Sequence, residues 1–254
     1  VYLSFTRYND TGMTSALGGV IDNDGNYVYF ADNNGDRLWR HQLATPYDGT
    51  TIIKDGTWRL GVGGFDNVIY DIKWKPDGTR FYVSGSQNDD IYQWDAATNW
   101  DMSGASYAGN FDFSPERPRS MWFKDSNTFY VVDNETTLLL YECSMSSPWD
   151  ITTASLTGTS TDIFDTTGLL NCVAINFRPN GKMLFAVARQ ENRIYQFTLD
   201  TAWDITTLTY TGTRIDVPSG SGEELAAVGF NTNGTRMEVM SNAGFRSFDI
   251  PLPS

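Results

Sequence analysis

Short runs in which apolar and polar residues alternate recur along the whole chain, each bounded by Gly, Asn, Asp or Pro. Alternation with a period of two puts one face of an extended strand into a core. The clearest set is Ile72 with Trp74, Met121 with Phe123, Ile175 with Phe177, and Val228 with Phe230. A turn signal follows each: Asp77-Gly78, the degenerate Asp125-Ser126-Asn127, Asn180-Gly181 and Asn233-Gly234, with Asp24-Gly25 ahead of them. Gly25 and Gly78 stand 53 residues apart, as do Gly181 and Gly234, and the gap of 103 between Gly78 and Gly181 holds one further unit. Five units result, and the Asp-Gly and Asn-Gly pairs predict two-residue hairpins with positive φ.

Each unit predicts four strands. The second strands fall at 27–31, 80–84, 128–132, 183–187 and 236–240, and the third at 37–41, 90–94, 138–143, 193–197 and 245–249. A loop then carries Tyr47-Asp48, Trp100-Asp101, Trp149-Asp150 or Trp203-Asp204, before fourth strands at 106–108, 155–157 and 209–211. The fifth unit reaches Ser254 without such a loop, whereas Leu3-Ser4-Phe5-Thr6 has the fourth-strand pattern. Repeats of this period indicate a propeller or a solenoid, and a ring leaves no strand array open. The expectation is an all-β, five-bladed β-propeller forming one domain over residues 1–254, with residues 3–6 completing the last blade.

Composition narrows the partners. A formal charge of −13 repels phosphate backbones and anionic lipid, so nucleic acid and membrane surfaces are not expected as partners. No apolar run approaches the roughly 18 residues of a membrane span, so no membrane insertion is expected; no basic-then-apolar signal peptide is expected either, and a start at Val1 without Met leaves room for processing or trimming ahead of it. Cys143 and Cys172 are too few for a disulfide framework and read as core thiols. His41, the single histidine, shares the register of Trp94, Cys143, Phe197 and Phe248, which makes it a core residue rather than a base or metal ligand.

The phrase Phe177-Arg178-Pro179-Asn180-Gly181, with its counterparts, resembles the blades of β-propeller proteins of the WD40 and YVTN type. Extended through Ile194-Tyr195-Gln196-Phe197 and Trp203-Asp204-Ile205-Thr206-Thr207, it resembles a repeat of structural proteins from tailed phages and marine viruses. The likeness covers nearly the whole chain. It implies a virion or extracellular setting and assembly into a larger particle or filament, and it implies no functional residue. The Gly-His pair of WD40 blades does not occur, so partner-binding roles of that group are not implied.

Candidate chemistry lies where the repeat varies. Trp100, Trp149 and Trp203 suit either a row of sugar-stacking platforms or a structural frame, in which each indole packs between blades and its Asp caps the loop. The connections entering the first strands and those joining second to third strands are expected on one face, around an axial pocket. They offer Asn67, Asn88, Arg117, Arg119, Asn171, Gln190, Asn192 and Glu224 to a ligand, or form a solvated polar rim. Trp122 aligns with Val20, Lys73, Asn176 and Gly229 and either faces or plugs the axis. The function expected is non-enzymatic engagement of a glycan or protein. The alternative is a glycoside hydrolase using Asp71, Glu116 and Glu224 around the axis. No cofactor is expected; Asp32, Asn34 and Asp36 have the alternating oxygen ligands of a calcium loop without its distal Glu.

Overall fold

The computed structural model describes residues 2–7, 15–33, 36–61, 64–66, 68–115, 117–133, 138–163, 169, 171–218, 220 and 222–249. These form five antiparallel four-stranded sheets. Strand β1 (Tyr2–Arg7) precedes the first blade, which comprises β2 (Ala16–Ile21), β3 (Tyr27–Asp32), β4 (Arg37–Leu43) and β5 (Ile52–Gly61). The second holds β6 (Ile69–Trp74), β7 (Arg80–Gly85), β8 (Asp90–Asp95) and β9 (Ser106–Asp112). The third holds β10 (Pro118–Phe123), β11 (Thr128–Asp133), β12 (Leu139–Met145) and β13 (Ala154–Asp162). The fourth holds β14 (Cys172–Phe177), β15 (Met183–Ala188), β16 (Arg193–Leu199) and β17 (Leu208–Asp216). The fifth comprises β18 (Leu225–Phe230), β19 (Arg236–Ser241) and β20 (Gly244–Asp249), with β1 paired outside β20 from Tyr2↔Phe248 to Arg7↔Gly244. The first strands touch in the cyclic order β2, β6, β10, β14, β18 and back to β2. The chain is a five-bladed β-propeller closed by its N-terminal strand.

The turns between first and second strands differ from the two-residue hairpins that Asp-Gly suggests. In the first blade Asp22 and Tyr27 close the loop, and Gly25 N–H returns to the Asp22 carbonyl at 3.0 Å. Four residues lie between, so only the glycine takes positive φ: 74° at Gly25, 70° at Gly78, 67° at Gly181 and 69° at Gly234. The preceding acid or amide turns inward instead. Asp77, Asn180 and Asn233 each accept the backbone N–H two residues on, at 3.0–3.1 Å.

The Trp-Asp phrase is frame. Asp48, Asp150 and Asp204 cap the short 3₁₀ turns Gly49–Thr51, Ile151–Thr153 and Ile205–Thr207 by accepting from the second residue on. The aromatic before each cap sits at positive φ: 55° for Tyr47, 63° for Trp100, 59° for Trp149 and 67° for Trp203. That conformation is unfavourable for a bulky residue and persists only where the surroundings impose it. Here the ring lies on the turn of its own blade, not between blades. A Cβ on Gly78 would come within 2.5 Å of Trp100, and one on Gly181 within 2.2 Å of Trp203. Packing also joins each ring to its own first strand, as in Trp74–Trp100 and Phe177–Trp203 at 5.3 and 5.4 Å between centroids.

Contact between blades runs instead through the phenols of the second strands. Tyr29, Tyr82 and Tyr130 donate to the carbonyls of Trp100, Trp149 and Trp203 in the following blade, at 2.6, 2.7 and 2.5 Å. In the fourth blade the matching residue is Phe185, and among the described residues the blade after it carries no Trp-Asp loop. His41 is 2 % exposed and stacks on Trp39 with an interplanar angle of 4°. Cys143 and Cys172 are free and buried.

The fifth blade meets the first through charge. Arg236 bridges Asp48 at 2.8 Å and the fully buried Glu238 at 2.6 Å, and Ser247 Oγ lies within 2.8 Å of both Glu238 oxygens. Burial pushes the Glu238 carboxyl up from 4.5 to about 7, against the pull of Ser247 and Arg236. The folded chain therefore holds this proton more tightly than the unfolded chain. Stability is full below the unfolded pKa and is lost as pH rises from there towards 7, by about 3 kcal/mol in all. Glu238→Gln is expected to remove that slope. Denaturant melts should show the variant gaining on the native chain between pH 4.5 and pH 8, and a constant difference across that range would contradict the assignment.

Candidate binding site at the propeller axis

The first strands have no neighbour on their inner side, so their edge groups need partners from elsewhere. Side chains of one axial row supply them. Asp71 accepts from Ser120 Oγ at 2.6 Å and from Met121 N–H at 3.2 Å; Ser120 Oγ accepts Ile175 N–H at 3.1 Å. One turn of the pleat further along, Asn176 Nδ2 donates to the Val228 carbonyl at 2.8 Å. Each of these bonds leads from one blade to the next. Gly18 completes the row, and a Cβ there would meet the Tyr70 carbonyl at 2.2 Å and Asp71 Cα at 2.7 Å. Only a glycine lets the first blade come so close to the second.

Lys73 binds both oxygens of Asp71 at 2.7 Å, with Asp71 fully buried and Lys73 6 % exposed. Burial pushes the Asp71 carboxyl up from its ordinary value, and Lys73, Ser120 and Met121 pull against it. This pair and Ser120 plug the axis.

Beside the plug, on the side of the turns between first and second strands, lies a cavity of about 610 Å³. That volume falls within the range of small-ligand sites. Its inner wall is the second axial row, Val20, Lys73, Trp122, Asn176 and Gly229, one residue from each blade. Gly229 leaves room that the other four residues do not. Trp74, Phe123, Phe177 and Phe230 form apolar walls, and Asp22, Asn23, Asp125 and Asn231 stand at the turns. Asp22 and Asp125 are engaged as turn caps, accepting backbone N–H groups of Tyr27 and of Asn127 and Thr128.

Of the sequence-predicted residues, Trp122 and Trp149 line this cavity. Those drawn from the connections into the first strands and from second to third strands lie at the opposite ends of the first strands. There the structure brings them together in pairs across neighbouring blades. The Arg119 guanidinium lies 3.9 Å from the Tyr70 ring centroid, and burial pushes it below the usual range of arginine. Arg117 N–H donates to Asp89 at 2.9 Å, Asn192 Nδ2 to the Glu223 carbonyl at 2.9 Å, and Arg189 Nε to Glu224 at 2.7 Å. Asn88 donates to Tyr92 at 3.2 Å, Asn171 has φ 52°, and Gln190 is exposed. Asn67, Glu116 and Asn34 lie outside the described residues. Asp32 is fully buried and accepts from Ser15 N–H at 2.9 Å and Trp39 Nε1 at 3.2 Å. Asp36 has φ 51° and a carboxyl pushed up by burial and by Asp66 and Asp32. Among the described residues no group of three His, Cys, Asp or Glu side chains is arranged to hold a metal ion.

Sequence reasoning singled out the second axial row through Trp122 alone and did not weigh Lys73, Asn176 or Gly229. The signal was present: five different residue types at one register position of an otherwise repeating frame.

No protein-family model and no curated protein sequence matches the chain. Solved structures do resemble it. A functionally unknown protein from Desulfotomaculum acetoxidans DSM 771 is 14% identical over 95% of this chain and 70% of that one, with a TM-score of 0.53. A chain of the mitotic checkpoint complex is 11% identical over 89% and 61%, with a TM-score of 0.50. A Bacteroides fragilis NCTC 9343 protein provisionally assigned as a 6-phosphogluconolactonase is 15% identical over 84% and 59%, with a TM-score of 0.51. At such identities the likeness is one of fold. No helix among the described residues is long and apolar enough to cross a membrane.

Proposed function

We propose that this chain is a non-enzymatic binding module of a virion or other extracellular assembly, which engages a glycan or protein partner by taking one protruding group into the axial cavity. The observation that carries this reading is the cavity itself, walled by aromatic rings and backed by the Asp71–Lys73–Ser120 plug. A site of this kind captures a group that enters and leaves through the same mouth. The resemblance of the repeat to phage and marine-virus structural proteins supports the virion setting. Hydrolysis draws no comparable support. Both oxygens of Asp71 are engaged, and Glu224 is ion-paired with Arg189 away from the cavity.

The test is capture by the immobilised chain from a glycan array and from virion or cell-envelope fractions. Trp122→Ala removes an aromatic wall, and Gly229→Leu fills the space beside it. The Gly229 backbone accepts a side chain, because its Cβ would meet only ordinary contacts of 3.5 Å and beyond. Each variant is expected to weaken capture at least tenfold, about 1.4 kcal/mol; Gly229→Leu is expected to melt as the native chain does, and Trp122→Ala, which takes a ring off the core cluster it packs on, below it. Absence of capture together with turnover of aryl glycosides would replace this reading with the hydrolase.

A further inference from the structure

Every first strand carries a bulge near its start. The register slips at Leu17, Tyr70, Arg119, Val173 and Ala226, in β2, β6, β10, β14 and β18 respectively. A bulge re-aims its extra side chain, and these five sit at one level, at the end of the axis away from the cavity. Leu17, Tyr70, Val173 and Ala226 are buried. Arg119 is the one charge among them, and it keeps partial exposure.

The Arg119 guanidinium has a ring beside it and no acceptor. It lies 3.9 Å from the Tyr70 ring centroid, a pairing that leaves the N–H groups to find acceptors elsewhere. Among the described residues no carboxylate pairs with it. Nε is sealed by protein without a partner, whereas Nη1 and Nη2 are neither sealed nor bonded. Burial pushes this guanidinium below the usual range of arginine; Tyr70 pulls against that, and Arg117 and Arg189 push the same way as burial. Arg189 already holds Glu224 at 2.6 Å. A half-buried cation without a counter-charge costs stability, in a chain with 31 acidic residues against 18 basic ones.

We propose that Arg119 receives the carboxylate of a ligand on the face opposite the axial cavity. This site is separate from the cavity and does not rest on the reading given to it. The two Nη donors of one planar fork match the two oxygens of one carboxylate. A net charge of −13 repels a dianion more strongly than a monoanion, which favours carboxylate over phosphate.

Calorimetric titration at low salt with methyl glucuronide, N-acetylglycine and inorganic phosphate tests this, the first two separating a sugar from a peptide source of the carboxylate. At least one of these carboxylates is expected to bind at millimolar concentration or below, and its uncharged amide at least tenfold more weakly. Arg119→Met is expected to weaken the carboxylate at least tenfold yet melt no lower than the native chain, since the uncompensated charge leaves with it. Arg119→Lys keeps the charge without the fork, and its affinity is expected to fall between. Four results would overturn the assignment: no binding of either carboxylate, unchanged affinity in Arg119→Met, tighter binding of phosphate, or an Arg119→Met chain that melts well below the native one. Gly229→Leu alters the cavity alone and is expected to leave carboxylate affinity unchanged, so the two sites can fail separately. A tenfold loss in that variant would place the carboxylate in the cavity instead.

Discussion

Replacing Asp71 with alanine is expected to destabilise the propeller by about 3–5 kcal/mol at neutral pH, because it leaves a buried ammonium without its counter-charge. Lys73 is 6 % exposed and has both oxygens of Asp71 at 2.7 Å. The same substitution strips Ser120 Oγ and Met121 N–H of their acceptor across the boundary between the second and third blades. Removing one partner of a buried pair is the costly change; removing both need not be. A double variant, Asp71→Leu with Lys73→Met, is therefore expected to recover most of the loss in urea denaturation. Two outcomes would tell against a plug held by charge: an alanine variant as stable as the native chain, or a double variant no better than the single one.

The register that gave five blades, and that placed residues 3–6 beside the last third strand, could be read from spacing alone. It depends on the period-two pattern and on turns, both of which are local. The structural role of the Trp-Asp phrase was one of two open readings, and repetition favoured it. What spacing did not give was the direction of the indoles. Trp100 and Trp203 lie over Gly78 and Gly181 of their own blades, a fit that depends on a missing Cβ some twenty residues away. The end of the axis at which the cavity opens was also hidden. Variation among connections drew attention to Arg117, Arg119, Asn192 and Glu224, yet several of those polar groups meet partners in the neighbouring blade. The row Val20, Lys73, Trp122, Asn176 and Gly229 varies just as much. A polar residue inside a strand reads as an interruption of the core until the strand is known to line an axis. Whether Lys73 is a free cation or half of an ion pair depends on the geometry of Asp71, which sequence spacing alone leaves undetermined.

Removal of residues 1–7 is expected to lower the melting temperature by about 10–20 °C. The argument is one of edges. Strand β1 pairs with β20 across five registered positions, and without it the inter-strand bonds of β20 on that side go unmade. At a net contribution of about 1 kcal/mol per backbone bond the loss is about 5 kcal/mol, and each kcal/mol shifts the midpoint of a chain of this size by about 2–4 °C. Closure matters beyond the bonds themselves. Both β1 and β20 touch the Gly49–Thr51 turn of the first blade, so the strand that completes the fifth blade also packs where the ring joins. The truncated chain is therefore expected to expose a strand edge and to self-associate as its concentration rises. A peptide of residues 1–7 supplied in trans should restore part of the lost stability in a concentration-dependent way. A truncated chain that melts with the native one, stays monomeric and ignores the peptide would mean that the first and fifth blades hold together through Arg236, Asp48 and Glu238 without the N-terminal strand.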